Sequence, residues 1–299
     1  MLAAMRTAEV VLPGPLDVPA SLEVFRRWGD DLADRWDGEV LLRTLRDDGA
    51  TVAWAATPAG DTPSPRLRVG VDDPAHLAAA VEAAQRLFVT APEAFEALRA
   101  ADPVVAAVEA GHPGIRGYRE PDLLTAIVRL ISSQQVNLRW AATTRARLLR
   151  ATGLVRSVGG REVWALDPQR LARTDPAELR ALQFTTRKAE YIVGAAVEVT
   201  SGRLDIETLR ERDDGAVVAR LTAVRGLGRW TAEWVLARTL GRPVVVAGDL
   251  GVRKAVGAAY LGGRMPSEAE ARAATAHWGP AAAVAQAVLL HSLVRGERP

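Results

Sequence analysis

The chain has 299 residues, 48% hydrophobic and 25% charged, which is the composition of a soluble globular protein of about two domains rather than of a disordered or fibrous one. It has no cysteine and 4 histidines, so disulfides, thiol nucleophiles and cysteine-ligated metal centres are excluded, and a histidine-based metal site is not expected. The formal net charge is +2, but residues 1–110 carry 10 basic and 18 acidic side chains, whereas residues 111–299 carry 28 basic and 18 acidic ones.

The basic charge therefore lies in the C-terminal part of the chain, where the net charge is +10 (28 − 18) against −8 (10 − 18) before it. A basic body favours a polyanionic partner, although solvated surface arginine without a partner fits the same counts. The first residues lack the apolar core of a signal peptide, and no uncharged apolar run reaches the roughly 20 residues of a membrane helix. We expect a cytoplasmic protein with no membrane contact.

The first 90 residues predict an α+β domain. Helices are indicated at residues 21–28 and 75–88, the second behind Asp72, Asp73 and Pro74, an arrangement typical of a capped helix start. Short strands are indicated as well, with a turn over residues 47–49 and a Pro/Ser-rich loop over residues 58–65; the strands are residues 6–12, 39–46, 50–57 and 66–71.

From residue 91 onward the sequence predicts helices almost throughout. Apolar residues recur at three- and four-residue spacing in nine segments, which are residues 93–109, 121–132, 136–151, 187–200, 215–223, 229–240, 250–260, 267–277 and 280–294. One strand-like interruption occurs at residues 244–246, three consecutive valines.

The most informative segment is residues 221–238, in which two predicted helices are joined by a short turn containing Gly226 and Gly228. A turn this tight needs glycine where φ is positive or where backbones approach closely. It also leaves the N–H groups at the start of the second helix free, which makes a phosphate site beside Arg229. A helix pair in an ordinary bundle would show the same two glycines.

This segment resembles the helix-hairpin-helix motif of the DNA glycosylase superfamily, and within it the 3-methyladenine DNA glycosylase II (AlkA-type) branch. Further matches follow the order of that branch over most of residues 121–299. They are Ile131-Ser-Ser-Gln-Gln-Val-Asn137, residues 182–192, Trp278-Gly-Pro, Ala285-Gln286 and Leu289-Leu290-His291. The resemblance implies an α+β N-terminal domain followed by a mostly α-helical helix-hairpin-helix glycosylase body.

The implied organisation has three parts. Residues 1–90 form the α+β domain, residues 121–241 form the helical subdomain with the hairpin, and residues 91–120 together with 242–299 form the helical subdomain with the catalytic aspartate. The resemblance assigns that catalytic role to Asp249. A carboxylate just before a helix is also a common N-cap, and the two roles are compatible.

The resemblance also assigns Trp230, Trp234 and Leu250 to the pocket for the extruded base. Trp230 and Trp234 share one helix face, an arrangement that is more usual for core positions than for a binding pocket. Trp230 stands where relatives with lyase activity have a nucleophilic lysine, and an indole cannot form a Schiff base. The implied enzyme is therefore a hydrolase without lyase activity. Leu250 and Leu293 stand where the best-known pocket has aromatic residues, so a wider pocket is expected.

The DNA-binding residues implied by the resemblance surround the hairpin and a wedge that fills the space of the extruded nucleotide. They are Gln134, Gln135, Val224, Gly226, Gly228, Arg229 and Thr231. For Gln135 a solvent-facing role in a turn is an equal alternative. Arg225 replaces the proline that is usual in this hairpin. The carbonyls of Thr222, Val224 and Leu227 match positions that hold a monovalent cation in relatives, and no other cofactor is expected.

The predicted function is excision of alkylated bases, of the 3-methyladenine and 7-methylguanine type, from double-stranded DNA in base excision repair, by a monomer. A cationic base leaves without a proton donor, so one carboxylate is enough to stabilise the sugar cation. Two alternatives stay open, a glycosylase for deaminated or oxidised purines and a non-catalytic helix-hairpin-helix DNA-binding protein.

Overall fold

A computed structural model describes residues 5–295. The N-terminal part is a five-stranded antiparallel sheet in the order β1-β5-β4-β3-β2. Its strands are β1 (Arg6–Val11), β2 (Arg35–Trp36), β3 (Leu41–Asp47), β4 (Ala50–Gly60) and β5 (Pro65–Val71). Three helices accompany it, α1 (Val18–Leu22), α2 (Val24–Arg27) and α3 (Leu77–Gln85). The predicted α+β class is confirmed, with β4 and β5 extending into the predicted loop.

The two faces of this sheet bury different partners because successive side chains of a strand point to opposite sides. On one face Leu41, Trp54 and Leu67 pack with Ala80 and Ala84 of α3. On the other face the strand residues pack against a two-stranded hairpin from the helical part of the chain; the residues of this cluster are Met5, Val40, Leu42, Ala53, Ala55, Val158 and Val163. Through this second face the N-terminal sheet packs against the helical part of the chain.

The strand prediction for the helical part was wrong, because the strands of that part form a hairpin elsewhere in the sequence. This hairpin consists of β6 (Leu154–Val158) and β7 (Arg161–Ala165), joined by Gly159 and Gly160, both with positive φ. Residues 244–246, the predicted strand-like segment, are not a strand, because no strand within residues 5–295 pairs with them. The N–H of Val246 instead donates to the buried side-chain amide of Gln286 at 2.7 Å.

The rest of the chain is helical, as predicted. The helices are α4 (Pro92–Ala101), α5 (Pro103–Gly111), α6 (Leu123–Ser133), α7 (Leu138–Thr152), α8 (Pro168–Arg173), α9 (Pro176–Ala181), α10 (Thr186–Thr200), α11 (Ile206–Arg210), α12 (Asp214–Thr222), α13 (Arg229–Trp234), α14 (Leu250–Tyr260), α15 (Glu268–Ala274) and α16 (Ala282–Arg295). A π-helical segment, Val235–Leu240, continues α13. The short helices α8, α9 and α11 were not predicted, although α8 and α9 begin with an Asp-Pro pair typical of a capped start.

Two apolar cores organise these helices. One is built from α6, α7, α10 and α12, with Ile127, Leu148, Ile192 and Leu221 fully buried. The other is built from α4, α5, α14 and α16, and Trp278 lies within it. Trp234 belongs to the second core although the hairpin helix that carries it also packs on the first. The α13 segment therefore joins the two helical cores and places its side chains where they meet.

Candidate active site

Asp249 is the N-cap of α14, and its carboxylate accepts three hydrogen bonds. One carboxylate oxygen, Oδ1, accepts from the Val252 backbone N–H at 3.0 Å. The other, Oδ2, accepts from the indole Nε1 of Trp230 at 2.9 Å and of Trp234 at 3.3 Å. A carboxylate has about four acceptor positions, so about one is left for another donor. The N-cap and the indole contacts coexist, and together they fix the orientation of the carboxylate.

Trp230 and Trp234 have different environments although both donate to Asp249. Trp230 is partly exposed and lines a cleft, so part of its ring is accessible. Trp234 is only 9% exposed, and the guanidinium carbon of Arg238 lies over its ring, 4.9 Å from the ring centroid. The same carbon lies 4.5 Å from the centroid of Tyr118. Trp234 is thus a wall of the cleft, while Trp230 has surface available for stacking.

The cleft has a volume of about 450 Å³, large enough for a nucleobase. Its lining comes from α1, α2, α6, α7 and α16 as well as from the indoles and Asp249. Of the two leucines that the resemblance places at pocket positions, Leu293 lines the cleft and Leu250 does not. Leu250 is 57% exposed because α14 turns it to solvent and presents Gly251 to the cleft instead.

Three acidic side chains and three guanidinium groups form a buried cluster along one wall of the cleft; they belong to Asp31, Asp34, Glu120, Arg43, Arg129 and Arg145. Asp31 pairs with Arg129 and with Arg145, each at 2.9 Å. Asp34 pairs with Arg43 and Arg129. Removing one member of such a buried pair costs about 3–5 kcal/mol, so the cluster ties the N-terminal domain to α6 and α7.

Glu120 is the least well paired member of this cluster. Its nearest guanidinium nitrogens, on Arg43 and Arg129, lie 3.4 and 3.6 Å away, too far to offset the loss of water. Burial, followed by repulsion from Asp34, raises the pKa of Glu120 to about 8. For Asp31, burial opposes ionisation, but Arg129 and Arg145 outweigh it and lower the pKa below its usual value.

The hairpin between α12 and α13 depends on Gly226. Its φ is +92°, and a Cβ atom there would lie 2.2 Å from Cγ of Tyr191. Any other residue would be strained and would clash with this ring. Gly228 precedes α13 as an N-cap without a side-chain hydrogen bond, and a Cβ there would meet no atom within 4 Å. The helix start is therefore open to an approaching anion.

At the other hairpin residues the backbone is more accessible to a ligand than most of the side chains are. Thr231 is 1% exposed and Val224 is 7% exposed, so neither side chain is available to DNA. The backbone N–H groups at the start of α13 remain open, because hydrogen bonding to the Gly228 carbonyl begins with Ala232. The Arg229 side chain is 65% exposed and forms an ion pair with Glu233 at 2.8 Å.

The carbonyls of the predicted cation site, those of Thr222, Val224 and Leu227, belong to the end of α12 and to the turn that follows it. Within residues 5–295, the carbonyls of Thr222 and Leu227 accept no hydrogen bond outside regular helices, and the Val224 carbonyl accepts one from Leu227 at 3.1 Å. A carbonyl oxygen has two lone pairs, so all three could take part in binding a cation. The described residues contain no cluster of three or more histidine and acidic side chains suited to a metal ion. Within the same residues, no helix is long and apolar enough to cross a membrane.

Gln134 and Gln135 occupy the turn between α6 and α7. Gln135 is exposed and has a positive φ of 56°, and Gln134 ends α6 in an extended conformation. Asn137 then caps α7 by accepting from the Trp140 N–H at 2.8 Å. The exposed Arg139 and Arg187 lie in the first turns of α7 and α10, and neither guanidinium has an ion pair within the described part of the chain. Lys188 joins α10 to α6, since its Nζ donates to the Ser132 carbonyl at 2.9 Å.

Residues 128–281 match the HhH-GPD superfamily of base excision DNA repair proteins. The chain is 33% identical over 150 residues to a DNA-3-methyladenine glycosylase of Bacillus subtilis, which is 50% of each chain. The chain spans 47–62% of the length of three curated relatives that it matches in sequence. Among solved structures, the 3-methyladenine DNA-glycosylase of Archaeoglobus fulgidus gives a TM-score of 0.86 at 24% identity, covering 97% of this chain and 99% of that one. The 3-methyladenine DNA glycosylase of Schizosaccharomyces pombe, solved with abasic DNA, gives 0.57 at 21% identity, with 68% and 97% covered.

Proposed function

Because the chain belongs to the HhH-GPD superfamily of base excision DNA repair proteins, we propose that it is a DNA glycosylase that hydrolyses the N-glycosidic bond of alkylated purines. The matched relatives named DNA-3-methyladenine glycosylase support this substrate class. The observation that carries the proposal is the carboxylate of Asp249, fixed by two indoles and a helix N-terminus and lining a cleft of nucleobase size.

The arrangement suits chemistry with one carboxylate. The C1′–N bond of an alkylated purine breaks with both electrons going to the base, which is already cationic and leaves as a neutral molecule. The Asp249 carboxylate, held in place before the reaction, stabilises the positive charge that develops on the sugar. A water molecule then bonds to C1′ and gives its proton to Asp249 or to solvent. The remaining acceptor position of the carboxylate is sufficient for that water.

We propose that the duplex binds across the hairpin and the Gln135 turn. The open N–H groups of α13 suit a phosphate, and the unpaired guanidinium groups of Arg139 and Arg187 add positive charge beside the turn. Carbonyls of Thr222, Val224 and Leu227 would hold a monovalent cation, which would add positive charge next to that phosphate. Gln135 would enter the space vacated by the extruded nucleotide.

We also propose that the enzyme has no lyase activity. Trp230 cannot act as an amine nucleophile. Of the two lysines, Lys188 is engaged with the Ser132 carbonyl beside the Gln135 turn, and Lys254 lies on α14 outside the cleft lining. The reaction would therefore end at an intact abasic strand.

The proposal is tested by incubating the full chain with duplex DNA treated with a methylating agent and measuring the free bases released. Release of methylated purines is expected, with binding that weakens by roughly 0.9 log units per log unit of salt for each phosphate neutralised. Arg139→Ala and Arg187→Ala should each reduce the salt dependence by about 0.9 log units per log unit of salt, the amount for one phosphate contact. Arg203→Ala is the control and should leave the salt dependence unchanged, because the exposed Arg203 guanidinium already pairs with Glu198. Tight binding without release of any base would instead support the non-catalytic alternative.

A further inference from the structure

Two of the arginines that line the cleft, Arg27 and Arg238, have a guanidinium with no hydrogen bond or ion pair to any residue within 5–295, and of these Arg238 is the one that lies over Trp234 beside Asp249. Arg129 and Arg145 also line it, but both are paired with Asp31 at 2.9 Å. The guanidinium of Arg238 has no hydrogen bond or ion pair to any residue within 5–295, and its contacts are the rings of Tyr118 and Trp234. Its nitrogens are not among the fully buried unpartnered polar atoms, so solvent in the cleft reaches them. The cleft thus contains a cation with unused hydrogen-bond donors.

The position of this cation is fixed relative to Asp249. Trp234 lies between them, because its ring lies under the guanidinium while its Nε1 contacts the carboxylate at 3.3 Å. Trp230, Trp234 and Arg238 are spaced four residues apart and share one face of the helical segment. A base whose sugar faces Asp249 would therefore have its edge within the same cleft as the guanidinium donors.

We propose that Arg238 is a specificity-determining residue that donates hydrogen bonds to the exocyclic oxygen of an extruded purine. The inference rests on the proposed glycosylase function. A guanidinium has five N–H donors and no acceptor, so it suits the O6 of 7-methylguanine or hypoxanthine and opposes the N6 amino group of 3-methyladenine. Arg238 therefore favours 6-oxopurines over 6-aminopurines.

The comparison of two methylated purines isolates this effect from charge. Both 7-methylguanine and 3-methyladenine carry a positive charge in DNA, so repulsion by the guanidinium acts on both. The group at position 6 differs, a carbonyl in the first and an amino group in the second. Hypoxanthine, which is neutral and has the carbonyl, is free of that repulsion and should depend on Arg238 the most.

The experiment measures 7-methylguanine and 3-methyladenine released in the same tube from methylated duplex DNA, so that the ratio does not depend on the fraction of active enzyme. Arg238→Met keeps the length and stacking surface of the side chain but removes charge and donors. We expect the ratio of 7-methylguanine to 3-methyladenine release rates to fall about tenfold or more, the effect of losing a hydrogen bond from a charged donor. Release of hypoxanthine from a separate duplex should fall by at least the same factor.

Two further variants complete the design. Arg238→Lys keeps a charged donor without the planar stack and should give a ratio between wild type and Arg238→Met, which preserves the test if the methionine variant does not fold. Arg203→Met removes an exposed arginine outside the cleft lining and should leave the ratio unchanged. If Arg238 only clamps Tyr118 and Trp234 together, its variants will slow both bases equally, and the proposal is overturned. If the wild-type protein releases none of these bases, the glycosylase function itself fails.

Discussion

Replacing Asp249 by asparagine tests the proposed chemistry most directly. If Asp249 were only a helix N-cap, asparagine would be nearly neutral, because both residues cap well. The structure shows a second constraint, since donors approach both carboxylate oxygens. Asparagine has a single oxygen. If that oxygen accepts from the Val252 N–H, the NH₂ group of the asparagine faces the indole N–H groups of Trp230 and Trp234. Donors then face donors, and the hydrogen bonds to the indoles are lost.

The expected size of each effect follows from these contacts. Loss of hydrogen bonds to a charged acceptor should lower the free energy of unfolding by about 1.5–3 kcal/mol. Loss of the negative charge should raise the activation free energy of base release by more than this. Two unit charges 4 Å apart in a partly screened site interact by about 4 kcal/mol, which corresponds to a rate loss on the order of 10³. Duplex binding should persist or tighten, because a carboxylate near phosphates is repulsive.

The assay is single-turnover release of 7-methylguanine by Asp249→Asn with enzyme in excess, run beside a duplex-binding titration and thermal unfolding. Asp167→Asn is the matched control, because Asp167 caps α8 by accepting from the Arg170 N–H at 3.0 Å and lies outside the cleft lining. The control should change neither release nor binding. A folded Asp249→Asn variant that releases the base within tenfold of the wild-type rate would refute the assignment of Asp249 as the charge-stabilising group.

Three further predictions concern other parts of the molecule. Gln135→Ala should slow release from duplex DNA by tenfold or more at nearly unchanged thermal stability, while Gln134→Ala has a smaller effect; equal rates for both variants would contradict the wedge. The pKa of Glu120, about 8 against an ordinary 4.5, means that its contribution to stability is complete below about pH 4.5 and is lost as the pH rises through about 8. Glu120→Gln should therefore flatten the fall in the free energy of unfolding over that range, measured by urea titration, and an unchanged slope would argue against the raised pKa. Borohydride should trap no protein–DNA adduct during base release; an adduct lost in Lys188→Ala or Lys254→Ala would reveal a lyase.

Several features of the site could be predicted because they depend on residues close in sequence. The hairpin and the aspartate lie within residues 221–254, where two glycines, a helix start and a cap have local signatures. The indole pair at four-residue spacing predicted a shared face, and in the structure both indoles reach Asp249. Arg238 continues the same spacing and could have been found by extending that face by one turn.

Periodicity predicts which face of a helix or strand is apolar, but not which other element that face contacts. The contacts between distant elements could therefore not be predicted. Residues 244–246 have a β-branched pattern, yet a strand needs a neighbour, and Val246 donates instead to Gln286, forty residues away in sequence. The resemblance placed Leu250 in the base pocket, which is wrong, since in the structure Leu250 faces solvent and Gly251 faces the cleft.

The tertiary structure alone decided which charges meet. Asp31 and Asp34 come from the N-terminal domain and pair with arginines of α6 and α7 about a hundred residues later in the chain. Arg43, also from that domain, pairs with Asp34 and with Glu120, which precedes α6. In the sequence each is an ordinary charged residue, because burial and partner are properties of the folded chain. The same holds for Tyr118, which meets Arg238 only when the segment before α6 folds against the hairpin helix. The sequence thus determined the local chemistry around Asp249, and the packing of distant segments determined the walls and the charge of the cleft in which that chemistry would occur.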